Sequence, residues 1–170
     1  MIVIALGANL ETKRYGAPQN GLAAALRHLT ATGVTLKTRS NWYQSAPFPT
    51  ADQPWYVNGV AEIACDLSPV ALMALLLSVE SEFGRQRNSR NAARVLDLDL
   101  IDYNGEILNK SAVDNGPAVQ LPHPRLHERA FVLLPLAEIA ADWRHPENGR
   151  HIDDLIAELP PGQKVERVCE

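Results

Sequence analysis

Gly84-Arg85-Gln86-Arg87-Asn88-Ser89-Arg90-Asn91-Ala92-Ala93-Arg94-Val95-Leu96-Asp97-Leu98-Asp99-Leu100-Ile101-Asp102-Tyr103-Asn104-Gly105 is the stretch from which the architecture can be read. Its second half alternates: Leu96, Leu98 and Leu100 share one face of a β-strand, Asp97 and Asp99 the other, because side chains two apart point the same way. Aspartate is a poor strand former, and a pair at i and i+2 aims like charges in one direction, roughly 7 Å apart. Taken alone, such a pair reads as the solvated face of an edge strand. The first half changes that balance. Arg85, Arg87, Arg90 and Arg94 fall within ten residues of a chain with formal net charge −4, a local cationic loop running straight into an acidic strand. That juxtaposition suits a metal-polyphosphate: hard carboxylate oxygens for Mg²⁺, and arginine forks for phosphate. No G-x-x-x-x-G-K-[ST] loop is present, so side chains and metal would have to do the binding.

Working outward, the 170 residues are 46% hydrophobic and 21% charged, which predicts one soluble globular domain over residues 1–170. A pI near 5.7 argues against nucleic acid as the main partner. Cys65 and Cys169 form no disulfide framework or metal spacing and are expected to be unpaired thiols. Neither a signal peptide nor a membrane-spanning run is apparent, which makes the cytoplasm the expected location.

Toward the N-terminus, Ile2 to Leu6 predicts a strand turning at Gly7, and 20–32 a helix with Leu22, Ala25, Leu26 and Leu29 inward. A strand with one apolar and one wet face is expected over 34–43, then a proline-stiffened loop to Pro54. The next strand, 55–65, carries Tyr56 and Asn58 on one face. An Asn there fits a bulge beside Gly59, but an aromatic next to an amide also offers stacking plus paired donor and acceptor to a flat heterocycle. Ser68-Pro69 opens a helix as N-cap and first helical residue, with Leu72, Leu75, Leu76, Val79 and Phe83 buried. Glu80 lies off that stripe and reads as solvated, or as a ligand contact. Residues 109–120 read as loop. His123 sits between two prolines as a phosphate donor or a plain surface histidine. A helix follows to about Ala141, then a short amphipathic one around Ile152 and Leu155. The resulting order is β-α-β-β-α-β, an α+β, ferredoxin-like split βαβ: an antiparallel sheet with helices packed on it.

Five segments together resemble the 6-hydroxymethyl-7,8-dihydropterin pyrophosphokinase family of folate biosynthesis: 4–10; Tyr43 with 53–58; 84–87; 94–100; and 121–133. The resemblance implies transfer of diphosphate from ATP to the pterin hydroxymethyl group, releasing AMP. It makes Asp97 and Asp99 the pair holding two Mg²⁺ ions. Arg85, Arg94 and His123 become phosphate contacts, and Arg87 and Arg129 mobile-loop and product-side arginines. Tyr56 and Phe131 would sandwich the pterin, Asn58 would pair with its edge, and Ser45, Ala46 and Phe48 would line its pocket. Glu80 and Leu100 join the nucleotide side. Implied partners are ATP and a reduced pterin, without nucleic acid or membrane, in a monomer or weak homodimer. Rival readings are a non-catalytic pterin- or nucleotide-binding module and a Mg²⁺-dependent phosphodiesterase; the acidic balance opposes the latter.

One departure concerns the loop before the acidic strand. Many members of the family carry Trp-Gly-Pro-Arg there, and this chain has Asn91-Ala92-Ala93-Arg94 in a shorter loop. Loss of the aromatic and the proline implies a looser lid with weaker exclusion of water. Asn91→Trp is therefore expected to tighten pterin binding, read by titration and turnover; unchanged affinity and turnover would refute the looser lid.

Overall fold

In the computed structural model the described residues are 1–47, 52–85, 93–110 and 116–168. The sheet is built around β1 (Ile2–Ala8), which pairs antiparallel with β4 (Tyr56–Ala64) on one side and β5 (Asp97–Tyr103) on the other. Between β1 and β4 come α1 (Pro18–Ala31), β2 (Thr35–Arg39) and β3 (Tyr43–Ser45); α2 (Pro69–Glu82) links β4 to β5. Both β2 and β3 pair with β4. This is the expected split βαβ with an antiparallel sheet.

The strand expected over 34–43 is broken, for a local reason. A register shift falls between Leu36 and Thr38. At Ser40 the side-chain hydroxyl accepts from the Val60 N–H at 3.0 Å, while the Ser40 N–H still donates to the Val60 carbonyl at 2.9 Å. The chain then bends, and the Trp42 ring lies over Gly59, where an added Cβ would come within 2.7 Å of it. Gly59 therefore provides space for an indole; β4 runs through it in unbroken register with β1, so the bulge that stood as one of two readings of Asn58 is absent from that pairing. The apolar face expected of this segment is also incomplete, since Leu36 is exposed.

Both faces of the sheet are covered. Ile2, Ile4 and Leu6 of β1 pack with Leu96, Leu98 and Leu100 beneath α1 and α2, as the alternation of the acidic strand requires. On the opposite face Val3, Val60 and Ile101 pack with α3 (Ala130–Ile139) and α4 (Ile152–Ala157). Ile101 reaches that second core by the strand's own alternation, on the face of Asp97 and Asp99; the β1–β5 register shift at Val3/Ile4 resets the alternation beyond it, turning Tyr103 to the first core. Asp102, also buried, accepts from Trp143 Nε1 at 2.7 Å and from the Gly105 N–H at 2.9 Å, so a carboxylate inside the second core is satisfied on both oxygens.

One expected loop is partly strand, and the tail adds another. Residues 109–120 are not wholly loop: β6 (Leu108–Lys110) and β7 (Val119–Leu121) form a two-stranded sheet. The tail adds β8 (Val165–Arg167), which pairs with β3 and extends the main sheet. All three are three-residue strands, too short to carry a period in sequence. Ser68 caps α2 as expected, its hydroxyl accepting from the Ala71 N–H. Among the described residues no helix is long and apolar enough to cross a membrane.

Gly59→Ala should cost about 1–3 kcal/mol by overpacking, measured as a shift in the urea midpoint. An unchanged midpoint would mean that the Trp42 ring moves aside freely.

Candidate active site

The cleft exists because the side chains of β1 become smaller along one face. Val3 fills the second core, but the next residues on that face, Ala5 and Gly7, leave the sheet uncovered. Ala5 lies between Val60 and Asp99 in the pairing, and Gly7 between Asn58 and Asp97. An added Cβ at Gly7 would sit 3.2 Å from Asn58 Oδ1, so glycine here permits the close approach of the amide. The resulting cavity of about 440 Å³ is lined on one side by Asp97, Asp99 and Arg94 and on the other by Tyr56, Asn58, Ser45, Ala46 and Phe131.

On the amide side, Asn58 is buried and donates through Nδ2 to Ser45 Oγ at 2.8 Å. That bond fixes which way the amide faces. Tyr56 donates to Gln53 Oε1 at 3.3 Å. Burial raises its pKa above the ordinary tyrosine value, Arg94 opposing and Asp97 adding to the shift, so its hydroxyl stays protonated. Phe131, at the start of α3, has the Arg129 guanidinium 5.6 Å from its ring centre, within cation–π range. Tyr43, part of the resemblance, does not line the cleft; its hydroxyl donates to Glu138 on α3 at 2.8 Å. Burial and then the Glu138 carboxylate push its pKa up to about 12.

On the acidic side, each carboxylate has cations against it. Asp97 Oδ1 is 2.5 Å from Arg85 Nη1 and Oδ2 is 2.7 Å from Arg94 Nη1. Asp99 Oδ2 is 3.2 Å from Arg129 Nη1 and 3.8 Å from His123 Nε2. His123 Nδ1 accepts from the Arg125 N–H at 3.2 Å, which leaves the proton of a neutral ring on Nε2, facing Asp99. Burial lowers the His123 pKa; Asp99 opposes this and Arg129 adds to it, so the neutral donor is the form present near neutral pH. Arg94 is held by its backbone as well: its N–H donates to Asn9 Oδ1 at 2.8 Å, and its carbonyl accepts from the Asn9 and Leu10 N–H groups. Asn9 in turn donates to Gln53 Oε1 and the Pro54 carbonyl, which joins the acidic side to the Tyr56 side.

Glu80 overturns its reading as a solvated residue. It is 1% exposed, and its Oε1 accepts from the Leu98 N–H at 2.7 Å and pairs with Arg85. Leaving the apolar stripe of α2 took it to the end of β5 rather than to water, and it does not line the cleft. Leu100 has its side chain in the core under α1 and α2, so any contact it makes with a ligand would be through its backbone. Phe48, Arg87, Arg90, Asn91 and Cys169 lie outside the described residues. Arg125, Glu128, Pro160 and Gln163 line the cleft without having been singled out in sequence. Arg125 and Glu128 stand within the 121–133 segment; the two tail residues carry no sequence signal.

Two carboxylates on one strand face are a hard donor set. Among the described residues no group of three or more His, Cys, Asp or Glu is arranged to hold a metal. An ion at Asp97 and Asp99 would thus complete its shell with phosphate and water, the arrangement Mg²⁺ favours.

A sequence model of the family 7,8-dihydro-6-hydroxymethylpterin-pyrophosphokinase (HPPK) matches residues 3–141. Similar proteins include the 2-amino-4-hydroxy-6-hydroxymethyldihydropteridine pyrophosphokinase of Haemophilus influenzae, 40% identical over 92% of this chain and 91% of the relative. That of Synechocystis is 37% identical over 92% of this chain and 75% of the relative. Among solved structures, wild-type HPPK-DHPS of Plasmodium falciparum superposes with a TM-score of 0.66 at 10% identity, over 92% of this chain and 44% of that one. At that identity the likeness concerns the fold, and this chain spans less than half of that protein.

Glu80→Ala should lose about 3 kcal/mol of stability in urea unfolding, because the Leu98 N–H loses its acceptor and Arg85 one of its carboxylates. Glu80→Gln, which can still accept from that N–H, should lose less. Equal stability in all three proteins would make Glu80 a bystander.

Proposed function

This chain belongs to the 7,8-dihydro-6-hydroxymethylpterin-pyrophosphokinase family, and from that premise we propose which of its residues carry the reaction. The activity is diphosphate transfer from ATP to the hydroxymethyl group of 6-hydroxymethyl-7,8-dihydropterin in folate biosynthesis, with AMP as the other product. The observation that carries the assignment is the single cleft in which Asp97, Asp99 and Arg94 stand across from Tyr56, Asn58 and Phe131.

On the pterin side, Tyr56 and Phe131 sandwich the ring, Asn58 reads its edge, and Ser45 and Ala46 close the pocket. Because Ser45 holds the Asn58 amide, the edge is met by a preset donor–acceptor pattern rather than one selected on binding. On the nucleotide side, Asp97 and Asp99 would hold two Mg²⁺ ions, which when bound neutralise the triphosphate and polarise the phosphorus under attack. Arg85, Arg94 and Arg129 then exchange carboxylate partners for phosphate oxygens, and His123 donates from Nε2.

The pterin hydroxyl oxygen bonds to the β-phosphorus and releases its proton to solvent as that bond completes, while the bond to the oxygen bridging the α-phosphate breaks and that oxygen leaves with AMP carrying the electron pair. The arginines stabilise charge growing on the bridging and leaving oxygens, and the two walls of the cleft hold the reactants in line. A loose transition state needs little deprotonation of the hydroxyl before attack. That fits a site whose histidine is a donor and whose Asp97 oxygens both face arginine.

Residues 1–170 act as one catalytic unit in this reading, supported by the tail residues Pro160 and Gln163 in the cleft wall. The same reading takes the enzyme as cytoplasmic and as a monomer or weak homodimer. Incubation with ATP, Mg²⁺ and the hydroxymethyl pterin should yield AMP and a pterin diphosphate, separated chromatographically, with neither formed by Asp97→Ala. ADP in place of AMP would overturn the site of attack, and pterin binding without turnover would leave a binding module.

A further inference from the structure

The family match ends at residue 141, yet a residue from beyond it ties together two walls of the cleft. Gln163 Oε1 accepts from the Ala130 N–H at 3.0 Å, and its Nε2 donates to the Glu128 carbonyl at 2.9 Å and the Pro160 carbonyl at 3.3 Å. The Ala130 and Glu128 groups flank Arg129 on either side. Arg129 is the residue whose guanidinium faces both Asp99 and the Phe131 ring. The next residue of the tail, Lys164, accepts through its carbonyl from the Ala46 N–H at 3.0 Å, and Val165 pairs with Ser45. Adjacent residues of one short segment thus grip the turn that presents Phe131 and the strand whose Ser45 holds Asn58.

We propose that Gln163 is a positioning residue for the pterin: it sets the distance between the stacking wall at Phe131 and the edge-reading wall at Asn58 and Ser45. The inference rests on the pterin reading of the cleft. A primary amide is suited to the task, since it alone among similar-sized side chains accepts from one backbone group while donating to others. The Ala130 N–H is at the first helical residue of α3, where helix N–H groups lack an intrahelical acceptor; Gln163 supplies one from a distant part of the chain. Of the phosphate-side groups, Arg94 and Arg85 are secured separately, through Asn9 and Glu80, and Arg129 keeps its own ion pair to Asp99. Loss of Gln163 should accordingly widen the pterin pocket and leave the nucleotide side in place.

The test compares wild type, Gln163→Ala and Gln163→Glu for pterin affinity by fluorescence titration and for Mg²⁺ with a non-hydrolysable ATP analogue by calorimetry. Thermal melts check folding. Gln163→Ala should weaken pterin binding about 5- to 20-fold, with KM for pterin rising more than kcat falls and nucleotide affinity within about 2-fold. Gln163→Glu, which accepts but does not donate, should fall between the other two. Wild-type pterin binding with Gln163→Ala unchanged overturns the inference alone. Parallel loss of pterin and nucleotide affinity, in either variant, also overturns it, because the residue would then be a general structural tie. A wild type that binds no pterin overturns the reading of the cleft and the inference with it.

Discussion

Two carboxylates on the same face of one strand, in a cleft, repel each other, and the arrangement of the site follows from how that repulsion is offset. Asp97 is met by Arg85 and Arg94, and Asp99 by Arg129 and the neutral donor His123. Behind them the buried Glu80 pairs with Arg85 and binds the β5 backbone at Leu98. Three carboxylates and three arginines cancel. A triphosphate of about four negative charges with two divalent ions is close to neutral as well. Ligand entry can then proceed as an exchange of partners among groups already at hand, rather than as the desolvation of new uncompensated charge, which in a partly enclosed cleft would be the more costly route.

That electrostatic cluster needs a rigid floor, and β1 supplies it. On one face its Ile2, Ile4 and Leu6 anchor the first core; on the other, the series Val3, Ala5, Gly7 passes from core to cleft floor within a single strand. Packing energy and site geometry therefore come from the same seven residues. The β1–β5 pairing that buries Leu98 against Leu6 also fixes Asp97 beside Gly7. A slip of one residue would bury the carboxylates and expose the leucines, so the core itself enforces the register of the site.

This coupling explains what was legible in sequence. The alternation of 96–100 is readable because both periods, core and site, are written in the same strand; Tyr56 and Asn58 are readable for the same reason. Glu80 was misplaced because helical periodicity reports only whether a residue faces the main apolar stripe. Nothing local indicates that an off-stripe carboxylate meets the backbone N–H of a strand eighteen residues further along. Gly59 is a parallel case: its requirement comes from the Trp42 ring, in the bend between β2 and β3, a contact between segments with no pattern in either one.

The tail is the extreme case. β8 has three residues and Gln163 is a lone amide after Pro160-Pro161-Gly162, a context that reads as the end of a helix followed by loose chain. Its contacts are long-range hydrogen bonds to backbone groups of Ala46, Glu128 and Ala130, and backbone groups leave no trace in side-chain pattern. The same physics indicates where such residues belong. A helix that begins at a binding site, as α3 does beside Phe131, presents N–H groups lacking intrahelical acceptors, and some other part of the chain, or a ligand, has to meet them. Here the chain's own tail meets one of them, so the start of α3 beside Phe131 is held by the fold itself.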